Sequence, residues 1–232
     1  MAGEGATVVV NGRRQGPLDE VVAAIGAAGG KALTATADLT DDEAASRLAD
    51  RCLADHGCVD VLVNNAGFSS SVRSARHLDA ATWTDVWRVN VLGPAMLARA
   101  LLPAMIDAGG GTIITVSSVA GLRPNVMAGA AYGSAKAAVA NWMTELASEV
   151  RNLGVRCSTI FPGEIDTPIL DRRALPPDDD QRAMMARPED VAEAVLLCAT
   201  LPARAMIDEL VITPTRQRDL TADMAAAREK SS

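Results

Sequence analysis

Short β-branched runs alternate with segments of helical periodicity along this 232-residue chain, and that alternation predicts an α/β fold on a doubly wound parallel sheet. Composition agrees. Hydrophobic residues make up 49% and charged residues 22%, the balance of a globular chain with a sizeable core. Aromatics are only 3%, so Ala, Val, Leu and Ile must fill that core. No segment repeats, and the length suits one domain over residues 1–232.

The elements follow in order. Ala6 to Val10 reads as a buried strand entering the turn Asn11-Gly12-Arg13-Arg14. Residues 16–29 carry Leu18, Val21, Val22 and Ile25 at helical spacing and stop at Gly29-Gly30, a plausible C-cap. Ala32 to Ala37 is a second strand, closed by Asp38. Thr40-Asp41-Asp42-Glu43 puts acids at the start of a helix reaching His56, where they complement the helix dipole. Val59 to Val63 is a third strand, followed by a long helix over 79–108 and the break Gly109-Gly110-Gly111. A strand from Thr112 to Ser117, a helix over 130–153 and a strand from Val155 to Phe161 come next. A helix from Pro188 to Leu201 and a strand over 210–213 close the pattern, and Pro176-Pro177-Asp178-Asp179-Asp180 reads as part of a mobile loop.

Charge narrows the function. The net charge of −7 argues against nucleic acid or an anionic membrane surface as partner. The start lacks a basic leader and no apolar run reaches the length of a membrane span, so the expected setting is cytoplasmic. Cys52, Cys58, Cys157 and Cys198 form no Cys-x-x-Cys pair and have no nearby His pattern, so they read as buried thiols and no metal is expected.

Tyr132, the only tyrosine, precedes Lys136 by four positions. On a helix four residues advance about 6 Å and about 400°, so both side chains leave one face a turn apart. A phenol with an ordinary pKa near about 10 is a poor acid at neutral pH, and an adjacent ammonium lowers it. A Tyr-x-x-x-Lys pair alone is common by chance. Here it accompanies Ala37-Asp38-Leu39-Thr40, Val63-Asn64-Asn65-Ala66-Gly67, Val89-Asn90, Val116-Ser117-Ser118 and Pro162-Gly163 with Thr167-Pro168.

In that order and spacing the set resembles the short-chain dehydrogenases/reductases, from about residue 5 to residue 215, and so implies a Rossmann-like sheet and an oxidoreductase that interconverts a carbonyl and an alcohol. The resemblance implies roles. Tyr132 donates or accepts the proton, Lys136 lowers the tyrosine's pKa and binds the nicotinamide ribose, Ser118 polarises the substrate oxygen, and Asn90 holds a water leading to Lys136. Ser117 points away. Arg13 and Arg14 would pair with the 2′-phosphate of NADP, favouring it over NAD, with a solvated basic turn as the competing reading. Asp38 and Leu39 would meet the adenine, although Asp38 equally suits a helix cap. Asn65, Ala66 and Gly67 would admit the adenine ribose, and Pro162, Gly163 and Thr167 would flank the nicotinamide. Residues 164–187 would form the substrate loop, with Arg172, Arg173 and Arg182 either meeting an anion or forming a charged surface. The stretch from Leu201 to Thr215 is similar to members acting on small 3-hydroxy acids or aldehydes. The Ala-rich helices over 79–108 and 130–153 resemble the surfaces that make family members homodimers or homotetramers.

One departure stands out. Family members open with a strand, a Gly-rich turn and a helix, and only then reach the strand seen here at Thr7, so about 25 residues of one β-α-β unit are expected to be missing. Gly3 and Gly5 precede a strand where the phosphate-binding turn should follow one. The first strand must then close against the third at about 4.8 Å, or the N-terminal pair stays loosely attached. A noncatalytic relative that cannot hold the dinucleotide is the rival to the enzyme.

Overall fold

The computed structural model describes residues 1–41 and 43–229, and for Arg172 the backbone alone. Two parallel sheets organise it. In the first, β1 (Thr7–Gly12) pairs with β2 (Lys31–Thr36) through the crossover helix α1 (Gln15–Ala27), in the register Thr7 opposite Lys31. Helix α2 (Ala44–His56) then leads to the second sheet, whose order is β3 (Val61–Asn64), β4 (Gly111–Val116), β5 (Val155–Pro162) and β6 (Glu209–Ile212). Between these strands run α3 (Ala80–Trp87), α4 (Gly93–Asp107), α5 (Val119–Leu122), α6 (Ala130–Val150), α7 (Asp179–Ala183) and α8 (Pro188–Thr200), and α9 (Thr221–Arg228) ends the description.

Side chains alternate across a strand, so neighbouring residues of β4 enter opposite layers. Ile113 joins Leu97, Met105, Met143 and Leu146 from α4 and α6, while Ile114 joins Ile160, Ala194 and Cys198 on the α8 side. That two-sided burial makes the second sheet doubly wound. Among the described residues β1 bonds only to β2 and β3 only to β4, so the first strand does not close against the third. Helices carry the attachment instead: Ala45 and Ala49 of α2 are buried in the cluster that holds Leu97, Ala98 and Leu101 of α4.

Several expectations need correction. Asn11 and Gly12 belong to β1, where the Asn11 side chain donates to the Ala35 carbonyl at 2.7 Å and Gly12 lies opposite Thr36, so no turn starts there. Asp42 lies outside the described residues. Residues 80–107 form one helical run of 28 residues that is long and apolar enough to cross a membrane by length and composition, contrary to the sequence reading. Its apolar excess has a core explanation, since Val86, Leu97, Ala98, Leu101 and Met105 are buried. Residues 176–180 are not a plain loop: Asp178 and Gln181 form a reciprocal capping box at the start of α7. Cys157 and Cys198 are buried, whereas Cys52 and Cys58 are half-buried.

Candidate active site

The short helix α5 starts where β4 ends, and Ser118 caps it by accepting from the Ala120 amide at 3.2 Å. Gly121 lets α5 cross α6 closely, because a Cβ there would lie 2.8 Å from the Lys136 carbonyl carbon. The Ser117 hydroxyl donates to the Lys136 carbonyl at 2.8 Å, so it is turned into the packing, as expected. These contacts bring the Ser118 hydroxyl within hydrogen-bonding reach of the Tyr132 phenol. Lys136 shares the face, with Nζ 5.6 Å from the Tyr132 ring centroid, and donates to the Val116 carbonyl at 2.9 Å.

Burial dominates the electrostatics of the pair. Burial pushes the Tyr132 phenol up, opposed by the Ser118 hydroxyl and then by the guanidinium charges of Arg73 and Arg173. The Lys136 ammonium lies over the ring, and this residue, only 4% exposed, is itself lowered by burial to about 8.

Asn90 lies in a π-helical turn, Arg88–Leu92, that interrupts the run between α3 and α4. Such a turn shifts the side chains of a helix out of their usual register and is common at functional sites. The Asn90 amide donates to the Phe68 and Val86 carbonyls at 2.7 and 2.8 Å, leaving a buried Oδ1 without a partner among the described residues. A Cβ on Gly67 would lie 3.4 Å from that Oδ1 and 3.6 Å from Lys136 Nζ, so both polar atoms converge on the open α-carbon.

Asn65, Gly67, Ser118, Tyr132, Lys136, Pro162, Gly163 and Thr167 border one cavity of about 500 Å³. It fits the nicotinamide half of a dinucleotide: a glycine cradle lies on one side, an orphaned acceptor needs a donor, and a buried ammonium needs oxygen ligands. The other expected cofactor residues do not reach it. Ala66 is exposed beside the cavity, and Leu39 packs against Gly93, whose added Cβ would lie 3.0 Å from that of Leu39. Arg13 and Arg14 are exposed on the β1 side, with Arg13 3.9 Å from Asp38. Asp38 also accepts from the Thr40 amide and hydroxyl at 3.0 and 2.9 Å, which makes a local turn ahead of α2 and not its cap, since Glu43 stands at the cap position of that helix.

Residues 164–187 make a loop tied at its base, where Asp166 donates from its amide to the Ala186 carbonyl at 2.8 Å and Ala186 returns a bond to Glu164. The loop arginines are paired within the protein: Arg173 binds Glu164 at 2.8 Å, and Arg182 binds Asp166 and Asp171. The side chain of Arg172 is outside the description. Sequence reasoning missed Glu164, Arg218 and Arg73. Arg218, with a side chain 3% exposed, ties the loop to α9 by bonding Glu164 and both oxygens of Asp223. The 54 positions between Glu164 and Arg218 left no local signal of that contact.

The chain matches the short chain dehydrogenase family over residues 1–176. It is 34% identical over 216 residues to a cis-4-hydroxycyclohexanecarboxylate dehydrogenase of Sinomonas cyclohexanicum, covering 91% of this chain and 86% of that one. It is 30% identical over 220 residues to an NADP-dependent 3-hydroxy acid dehydrogenase of Escherichia coli K12, covering 92% and 87%. Among solved structures, a metagenomic short-chain oxidoreductase in complex with NADP superposes with a TM-score of 0.80 at 35% identity, covering 93% of this chain and 89% of that one.

Proposed function

The chain belongs to the short-chain dehydrogenase family, and on that premise we propose that it interconverts a small carbonyl compound and its alcohol with NADP(H). The observation that carries this reading is the convergence of Ser118, Tyr132 and Lys136 on one cavity, with Asn90 behind Gly67. The nucleotide would supply or accept the hydride. In reduction, the Ser118 hydroxyl donates a hydrogen bond to the carbonyl oxygen and Tyr132 gives that oxygen its phenolic proton; in oxidation Tyr132 takes it back. Lys136 holds the nicotinamide ribose, and a water donating to Asn90 Oδ1 replenishes the proton through Lys136. NADP is favoured over NAD by Arg13 and Arg14, by the NADP-dependent relative and by the NADP-bound neighbour.

Residues 164–187 serve as the substrate loop of a single domain. The enzyme is cytoplasmic and assembles as a homodimer or homotetramer through α3–α4 and α6, a reading supported by the exposed Trp83 and Leu92 on that apolar run. A noncatalytic relative is the second reading. The observation favouring it is the divided sheet, with Arg13, Arg14 and Asp38 outside the cavity on the thinner layer.

The test is NADPH-dependent reduction of a panel of aldehydes and ketones by the parent chain and by Tyr132→Phe. Loss of the phenolic proton should cut turnover by about 10²–10⁴-fold with unchanged melting. Undiminished turnover in the variant would sink the mechanism.

A further inference from the structure

Arg73 is a buried cation that pairs with no carboxylate among the described residues. It is 6% exposed, and burial lowers it to about 10, with the charge of Arg173 adding to the shift. Nη1 donates to the Ser69 hydroxyl and to the Ala128 carbonyl, the latter at 3.1 Å, while Nε is buried with no partner among the described residues. Its stem lies against Gly129, whose added Cβ would be 3.1 Å from Arg73 Cδ, so the guanidinium sits under the N-terminus of α6. The partial positive charge of that helix end makes an unneutralised cation costlier still. The carboxylates in reach are taken. Glu164, the only acid lining the active-site cavity among the described residues, is held by Arg173 and Arg218, and Asp223, across a smaller cavity, gives both oxygens to Arg218.

Arg73 borders the same cavity as Tyr132, so an anion bound to it would share that cavity with the reacting oxygen. Met127, Val119 and Leu170 line the same cavity with apolar surface. We propose that Arg73 anchors a carboxylate on the substrate, which makes the substrate a hydroxy acid or its oxo acid with a small apolar body. This deepens the reductase reading and rests on it for the reaction, but not for the binding.

The probe pair is cyclohexanecarboxylate and cyclohexanecarboxamide, alike in shape and different in charge, titrated calorimetrically into the protein with and without NADPH. A charge-assisted pair at a desolvated site should favour the carboxylate by about tenfold or more. Arg73→Gln, which keeps hydrogen-bond donors for Ser69 and Ala128 but no charge, should erase the preference and leave NADPH affinity unchanged. Arg73→Lys should retain part of it. Equal binding of the two probes to the parent protein, or no binding of either, overturns the proposal without any variant. So does a preference that survives Arg73→Gln, or a large loss of NADPH affinity there, which would assign Arg73 to the cofactor's phosphates. Carboxylate preference in a protein that binds no NADPH would keep the anchor and sink the reductase. NADPH binding without the preference would do the reverse.

Discussion

β1 and β4 are both six-residue parallel strands, yet four residues of β4 are buried and none of β1 is. β4 lies between β3 and β5 with helices on both faces, whereas β1 bonds, among the described residues, only to β2 and packs on α1. Parallel sheet is stable when both faces are covered, so the difference separates a finished layer from a thin one. The proposed chemistry follows the same division. Ser118, Tyr132 and Lys136 stand on elements seated against β4, and Arg13, Arg14 and Asp38 stand on the thinner layer. The proton-transfer geometry is therefore fixed by packing, while the adenosine end of the cofactor would meet the less constrained part of the fold.

Truncating one side chain in each layer tests this most strongly. Ile114→Ala opens a cavity in a closed core and should cost about 2–5 kcal/mol. Val9→Ala should cost about 1 kcal/mol or less, because Val9 is half-buried and already borders a cavity of about 340 Å³ between β1, β2 and α2. Denaturant titration measures both, and equal losses would erase the contrast.

Lys136 sharpens the comparison from inside the finished layer. Its folded pKa of about 8 lies below the 10.5 of a free lysine, so the unfolded chain binds more protons between those values. Stability attributable to this group therefore rises with pH from about 8 to 10.5, and its burial costs about 3 kcal/mol below that window. Without nucleotide, Lys136→Met should melt above the parent at neutral pH, with a margin that shrinks as pH climbs past 8. A margin independent of pH would contradict the assigned cause. A smaller effect is expected at the α5–α6 crossing, where Gly121→Ala meets α6 backbone and should cost about 1–3 kcal/mol and lower kcat by displacing Ser118 from Tyr132.

The parts legible in the sequence were those with local signals. Helical spacing gave Tyr132 and Lys136 a common face, and the alternation of strands and helices gave the layers. Where a contact joins distant positions or a local rule is overridden, the sequence was silent or misleading. Asn11-Gly12 looks like a turn but lies in a parallel strand. The π turn around Asn90 adds a register shift that apolar periodicity does not reveal. Arg73 is one arginine in a polar stretch until the fold brings Ser69, Ala128 and Gly129 around it. Helix α9 escaped notice because it is only eight residues long and its apolar residues are alanines and one methionine, with no large aliphatic stripe, and its buried Asp223 acts by pairing with Arg218. Spacing also says nothing of desolvation, which raises the Tyr132 phenol and lowers the Lys136 amine.

The most direct measurement is a titration of the chain with NADPH and with NADH, following nicotinamide fluorescence and melting temperature, repeated on a variant carrying Arg13→Ala and Arg14→Ala. Saturable binding that prefers NADPH, with the preference lost in the variant, is the expected result and would show that the thin layer reads the 2′-phosphate. A folded protein that binds neither nucleotide would contradict the proposed oxidoreductase and favour the noncatalytic reading.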